Sequence, residues 1–356
     1  MTSTAEVAQG RAKALQADAL IINGLGSLLR PPGLDGRPFV LPELMSEGGV
    51  TALNYTVAVV EDFQETAKLL AGLLVAIDRS TAPQARVVLT ADDLREAKAR
   101  GEIGIIVGCQ GSEPLSGSFA NLGLFYRRGL RILQLTYQRR NLAGDGCGEP
   151  ADGGLSLFGR ELVGHCNRLG ILIDLSHTGY KSTMETIELS TAPVAFTHVN
   201  MHALNPIPRN KSDEQIRFLA EKGGIVGINA IARLLSPNGR DRGASVDEFV
   251  DQIEHVTQLV GIDHISIGLD VVEDMTEDDF ELRNQTFFAS FPELKAGGSF
   301  PFENYYVRDL SMRQIAPLLE KLVERGYSDE EITKILGENL VRVYTQAWQP
   351  RTGVDS

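Results

Sequence analysis

Cysteine is scarce in this 356-residue chain: Cys109, Cys147 and Cys166 are the three present. So odd and sparse a set builds no disulfide framework and suits a reducing compartment. Basic residues are in deficit too, 34 Lys and Arg against 47 Asp and Glu, for a net charge of −13. That balance argues against nucleic acid and anionic membranes as partners. No apolar run reaches membrane-spanning length. The opening MTSTAEVAQGRAKALQ lacks the apolar segment that a secretory signal needs. The expectation is a soluble, cytoplasmic protein. The phosphate-binding patterns G-x-G-x-x-G and G-x-x-x-x-G-K-[ST] occur at no strand-to-helix turn, which argues against a nucleotide-binding doubly wound fold. No repeat of solenoid period is present.

What the chain does contain is a succession of short apolar runs separated by helical segments. Residues 4–19 are spaced as a short helix. Strand-like runs follow within 19–29, 48–60, 102–110, 130–138, 171–177, 193–199, 224–230 and 264–270. They are apolar on successive positions, as strands buried on both faces should be. Leucines recur at helical spacing over 62–79. Thr90 caps the segment 91–100, which has acids in its first turn, bases near its end and Gly101 as its stop. Ser156 caps a helix closed by Gly170, and Ser212 with Gln215 and Ser245 with Glu248 form capping boxes. Helical stretches at 311–325 and 328–345 close the chain. Eight strands alternating with helices is the count of an α/β fold of the (β/α)8 TIM barrel type. Residues 1–356 therefore read as a single barrel domain, with an N-terminal helix at 1–19. Residues 271–310, acidic and then aromatic (SFPFENYYV), read as an insertion that acts as a lid or an interface. The loop 139–154 is long for a compact domain, and such loops tend to be functional.

In such a barrel, polar residues at strand exits face the mouth of the active site. Here they are Asn23, Gln110, Tyr137, His177, His198, Asn229 and Asp270. His177 and His198 end consecutive strands. They either share one metal ion through neutral imidazole nitrogens or are ordinary hydrogen-bonded residues. Asp270 is either a general base beside a metal-bound water or a helix cap. Arg209 offers a forked guanidinium to a carboxylate, or pairs with Asp213 at the surface. Tyr137 can donate to a developing oxyanion or be structural. Gln110 can ligate a metal weakly or hydrogen-bond within the barrel. Cys109, its neighbour, points the other way in a regular strand and reads as core. Cys147 lies in a glycine-rich loop with access to solvent, and nothing in the sequence marks an activating neighbour. His165, His202, His255 and His264 read as structural.

The stretches LQLTYQRRN, GGLSLFGRELVGHCNRLGILIDLSH, STAPVAFTHVN, PRNKSDEQIRFLAEKGGIVGINA, HISIGLD and ILGENLVRVY come in an order that resembles the renal (membrane) dipeptidase family, the M19 metallopeptidases. The resemblance covers nearly the whole chain. It implies a (β/α)8 barrel with two zinc ions at its catalytic face, hydrolysis of dipeptides and, often, a homodimer. By position it implies that His177 and His198 hold one zinc and that Asp270 acts as acid and base. It also implies that Arg209, with Asn210 beside it, grips the C-terminal carboxylate of the substrate.

The chain departs from the family pattern at three places. Leu25 and Ser27 stand where the family has a His-x-Asp pair on its first strand. Gln110 replaces the bridging glutamate, and Tyr137 replaces a substrate-polarising histidine. Leucine binds no metal, and a neutral amide does not offset the repulsion between two dications. At an effective dielectric of about 20, two such ions about 3.5 Å apart repel by roughly 19 kcal/mol before other ligands are counted. The expectation is a reduced centre, with one zinc ion or none on His177, His198 and Gln110, and not two. The expected function is dipeptidase-like hydrolysis of a small, carboxylate-bearing substrate. One alternative uses Asp270, Tyr137 and the histidines without metal, for proton transfer or elimination on a small acid. Another is a binding homologue that has lost the reaction.

Overall fold

The computed structural model describes residues 4–29, 31–33, 38–290 and 301–350. Its strands, in chain order, are β1 (Ile22–Ser27), β2 (Ala52–Ala58), β3 (Ala85–Val87), β4 (Ile103–Cys109), β5 (Leu130–Gln134), β6 (Leu172–Asp174), β7 (Ala195–Val199), β8 (Ile225–Ile228), β9 (Ile265–Ile267) and β10 (Val271–Val272). They pair in parallel in the order β10-β1-β2-β4-β5-β6-β7-β8-β9, with β3 added beside the start of β4. β10 continues the chain three residues beyond β9. Its pairing with β1, Gly26 to Val271 and Ser27 to Val272, therefore brings the last strand back to the first. The eight expected runs thus form the curled parallel sheet of a (β/α)8 barrel, and β3 is a short addition.

Two-sided burial explains the apolar runs. Every residue of β4, β5, β7 and β8 is buried, between the barrel interior and the surrounding helices. The interior is narrow beside β7. A Cβ on Gly268 would fall 1.8 Å from the Thr197 carbonyl oxygen, and one on Gly24 would fall 2.8 Å from it. Glycine lets these strand ends approach so closely.

Most helix signals hold. Thr90, Ser212 and Ser245 each close a capping box, Ser156 accepts from Gly159 N–H, and Gly101 and Gly170 end their helices in the left-handed conformation. The helix Thr4–Asp18 matches the expected N-terminal one. The described part of the stretch 271–310 carries β10, a helix Glu277–Ser290 and a short turn Phe302–Asn304. Phe280 and Tyr305 pack there with Ile231, Leu234, Val272 and Met275. Residues 291–300 of the expected insertion, and 1–3 and 351–356 at the termini, lie outside the described residues. Among the described residues no helix is long and apolar enough to cross a membrane.

Candidate active site

β6 ends at Asp174 and β7 runs alongside it, which brings His177 and His198 together. Both rings are buried, and their Nε2 atoms lie 3.0 Å apart. Each ring is held from behind. Thr197 Oγ1 lies 2.8 Å from His198 Nδ1, and Gln138 Nε2 lies 2.8 Å from His177 Nδ1. The Tyr137 ring stacks on His177 with centroids 4.2 Å apart.

One set of proton positions satisfies every link. The Thr197 hydroxyl donates to Asp174 at 2.7 Å, so it must accept from His198 Nδ1–H. That leaves His198 Nε2 bare, to accept from His177 Nε2–H. His177 Nδ1 then accepts from the Gln138 amide, whose Oε1 accepts from the Cys147 thiol at 3.1 Å. Both imidazoles are neutral in this chain. Burial first, and the Arg209 charge second, hold them well below the usual histidine range. Cys147 is therefore not the accessible loop thiol its glycine-rich surroundings implied. It is buried, and burial pushes its pKa up.

A cavity of about 730 Å³ opens above this pair. Gln110, Tyr137, His177, Arg209 and Asp270 all border it, and His198 lies beneath, joined through His177. Asp270 follows β9 with a left-handed φ of 56°, a conformation that aspartate tolerates better than most residues. Its N–H donates to the Leu25 carbonyl, and its carboxylate accepts from Asn229 at 2.9 Å. Burial raises its pKa, opposed first by Arg209 and then by the Asn229 bond. Arg209 does not pair with Asp213, which instead holds His255 at 2.8 Å. Two of its N–H groups donate to the carbonyls of Ser176 and His198, at 2.7 and 2.8 Å, so the guanidinium is anchored on both histidine-bearing segments. The Gln110 amide donates to Thr56 at 2.9 Å. Ser27 borders the cavity, whereas Leu25 is buried.

Asn210 is not part of this group. Its amide donates to the carbonyls of Asn205 and Leu234, and the residue borders a separate cavity of about 330 Å³ with Cys147 and Lys211. The structure adds residues that strand-end logic had not singled out: Asp174, Thr197 and Gln138 behind the imidazoles, and Arg233 and Arg283 in the cavity wall.

The family's paired zinc centre does not fit this donor set. Among the described residues no three His, Cys, Asp or Glu side chains converge as a metal cage. One ion fits better, because the two Nε2 atoms already meet at a point. Two nitrogen ligands of one tetrahedral zinc stand about 3.3 Å apart. To receive an ion, His177 must present a bare Nε2 and carry its proton on Nδ1. The Gln138 amide must then turn over.

A model of the family described as membrane dipeptidase (peptidase family M19) matches residues 41–282. Dipeptidase tcpJ of Claviceps purpurea is 30% identical over 255 residues, which are 71% of this chain and 53% of that protein. The chain spans about half the length of the curated relatives it matches. An amidohydrolase from Pseudomonas aeruginosa has a similar structure, with 34% identity and a TM-score of 0.82 over 95% of this chain and 99% of its own. A metallopeptidase from Rhodobacter sphaeroides, solved with a phosphinate mimic of the dipeptide L-Ala-D-Ala, shares the fold. It is 24% identical, with a TM-score of 0.74 over 93% and 100% of the two chains.

Proposed function

The chain belongs to the membrane dipeptidase family, peptidase family M19, and from that premise we propose that it hydrolyses the amide bond of a dipeptide or a similar small carboxylate, at a centre that takes one zinc ion at most. The observation that carries this reading is that Asp270, Tyr137, Arg209 and His177 border one cavity, with His198 joined to His177 beneath it. His177 and His198 are the residues that would hold the ion, with Gln110 facing the same space. When bound, a zinc ion supplies Lewis acidity and an acidified water.

The chain's own groups do the rest. Asp270, oriented by Asn229, takes a proton from the attacking water and returns it to the leaving amine. Its raised pKa brings it closer to the operating pH, which favours both transfers. Tyr137 stays neutral because burial raises its pKa, and its hydroxyl donates to the oxygen that gains charge. Arg209 presents its remaining N–H groups to the substrate carboxylate. The helix Glu277–Ser290, which brings Arg283 and Thr286 to the cavity, acts as a lid. Three buried free thiols agree with a cytoplasmic location, and the family's habit is a homodimer.

A second reading has one observation in its favour. The hydrogen-bonded chain from Cys147 to Asp174 satisfies both imidazoles with no ion, which suits metal-free proton transfer on a small acid. A dipeptide panel assayed with zinc, cobalt or manganese separates the two. Hydrolysis that His198→Ala abolishes supports the first reading. No hydrolysis with any metal, or full activity in that variant, removes it.

A further inference from the structure

Cys147 sits in the loop between β5 and the helix Leu157–Leu169, and backbone bonds clamp that loop behind the imidazoles. Its N–H donates to the His177 carbonyl at 2.7 Å, and Gly148 N–H donates to the Gln138 carbonyl at 2.8 Å. Glycine is needed on both sides of the thiol. A Cβ on Gly146 would run into the Tyr137 and Gln138 carbonyl oxygens, and one on Gly148 would crowd that of Gln138. The segment Gly146-Cys147-Gly148 thus delivers its thiol to Gln138 Oε1, 3.1 Å away. Burial keeps Cys147 protonated, as a donor.

The other end of the Gln138 amide faces the imidazole, with Nε2 2.8 Å from His177 Nδ1. Gln138 therefore stands between a thiol and a ring nitrogen, and its two orientations suit different states. In the observed one, Oε1 accepts from the thiol and Nε2 donates to a bare Nδ1. His177 then carries its proton on Nε2 and cannot hold an ion. In the reversed one, Oε1 accepts from His177 Nδ1–H, His177 Nε2 is bare, and the amide Nε2 is left to donate to Cys147 Sγ. Sulfur is a weak acceptor. The thiol hydrogen must also turn away, toward the cavity of about 330 Å³ that Cys147 borders with Asn210 and Lys211. The thiol therefore favours the ion-free orientation over the ion-bound one.

We infer that Cys147 is a positioning residue for the metal site: by donating to Gln138 it holds His177 in the proton arrangement that refuses an ion, and so lowers the affinity of the imidazole pair for zinc. This rests on the reading above that His177 and His198 would hold one ion. It adds a residue behind them that sets how tightly the ion is held.

The test reads zinc affinity and the thiol itself, on the intact chain. In calorimetric competition against a chelator, Cys147→Ala binds zinc about fivefold more tightly than the parent, the factor that one neutral hydrogen bond supplies. Cys147→Ser tightens binding at least as much, because a hydroxyl accepts from Gln138 Nε2 as readily as it donates to Oε1. General damage to the site would weaken binding instead, and melting curves check that each variant is folded. Infrared spectra follow the S–H stretch of Cys147, identified as the band missing from Cys147→Ala. In the zinc-free parent it lies at the low frequency of a thiol bonded to a carbonyl, and it rises when zinc binds. Equal or weaker zinc affinity in a folded variant, a band that bound zinc leaves in place, or no zinc bound by the parent and both variants alike overturns the inference. Zinc bound by the variants and not by the parent upholds it. Dipeptide hydrolysis is scored apart. Tighter binding in variants of a protein that cleaves no dipeptide upholds the inference and removes the hydrolase reading, and cleavage with unaltered affinities does the reverse.

Discussion

Replacing Asp174 by asparagine tests the proton chain behind the imidazoles. The Asp174 carboxylate is buried and accepts four hydrogen bonds: from Ser176 N–H and its hydroxyl at 3.0 and 2.6 Å, and from Thr197 N–H and its hydroxyl at 3.1 and 2.7 Å. Asparagine keeps an oxygen for the three bonds to Oδ1 and places an amide N–H where Oδ2 stood. That N–H donates to Thr197 Oγ1, so the threonine hydroxyl turns and donates to His198 Nδ1. His198 must then carry its proton on Nε2, His177 must present a bare Nε2, and the Gln138 amide must reverse. Hydrogen bonds to a charged group contribute about 1.5–3 kcal/mol each, and neutral ones about 0.5–1.5. Weakening three of them and inverting the chain should cost about 2–4 kcal/mol of stability. Urea unfolding measures that loss. Nitrogen-15 NMR of the zinc-free protein reads the tautomers, which we expect to be Nδ1–H at His198 and Nε2–H at His177 in the parent, and the opposite in the variant. Unchanged tautomers, or a loss below about 0.5 kcal/mol, would refute the reasoning.

Other residues give shorter tests. Lys211 is buried, donates to the Thr178 carbonyl at 2.7 Å and has its pKa lowered to about 7 by burial. Between that value and the ordinary lysine range, the unfolded chain holds a proton that the folded chain does not. Its contribution to stability therefore rises with pH across the window, by a few kcal/mol, and Lys211→Met should flatten the rise in urea titrations at about pH 6.5 and 9.5. Asp270 has a raised pKa, so its ionisation costs the folded state stability above the ordinary carboxylate range. Asp270→Asn should melt higher than the parent at neutral pH and converge with it in acid, while kcat falls by about 10²–10⁴. In the parent, the acidic limb of kcat/KM should lie above the usual aspartate range. Tyr137→Phe keeps the ring against His177 and removes the hydroxyl, so kcat should fall by about 10² with little change in KM.

The barrel was legible because its strands are buried on both faces, so each reads as a bounded apolar run with a polar exit residue. The same rule located Gln110, Tyr137, His177 and Asp270, which the structure gathers at one cavity. It failed for residues whose placement depends on loop paths. Asn210 adjoins Arg209 in sequence but turns its amide to Asn205 and Leu234. Arg233 arrives from a four-residue helix, and Arg283 from a helix with no marked apolar period. Cys147 resembled a solvent-facing thiol because its burial comes from non-local packing, through the contact with Gln138. Asp174 and Thr197 were hidden by position. They lie within strand-like runs, and only the pairing of β6 with β7 shows that they face each other.

Metal stoichiometry tests the central claim most directly. The two imidazoles of His177 and His198 converge on one point, and among the described residues no three His, Cys, Asp or Glu side chains converge as a metal cage. Elemental analysis of protein purified without chelator and equilibrated with zinc should find no more than one tightly held equivalent per chain, lost in His198→Ala. Two tightly held equivalents per chain would contradict the account.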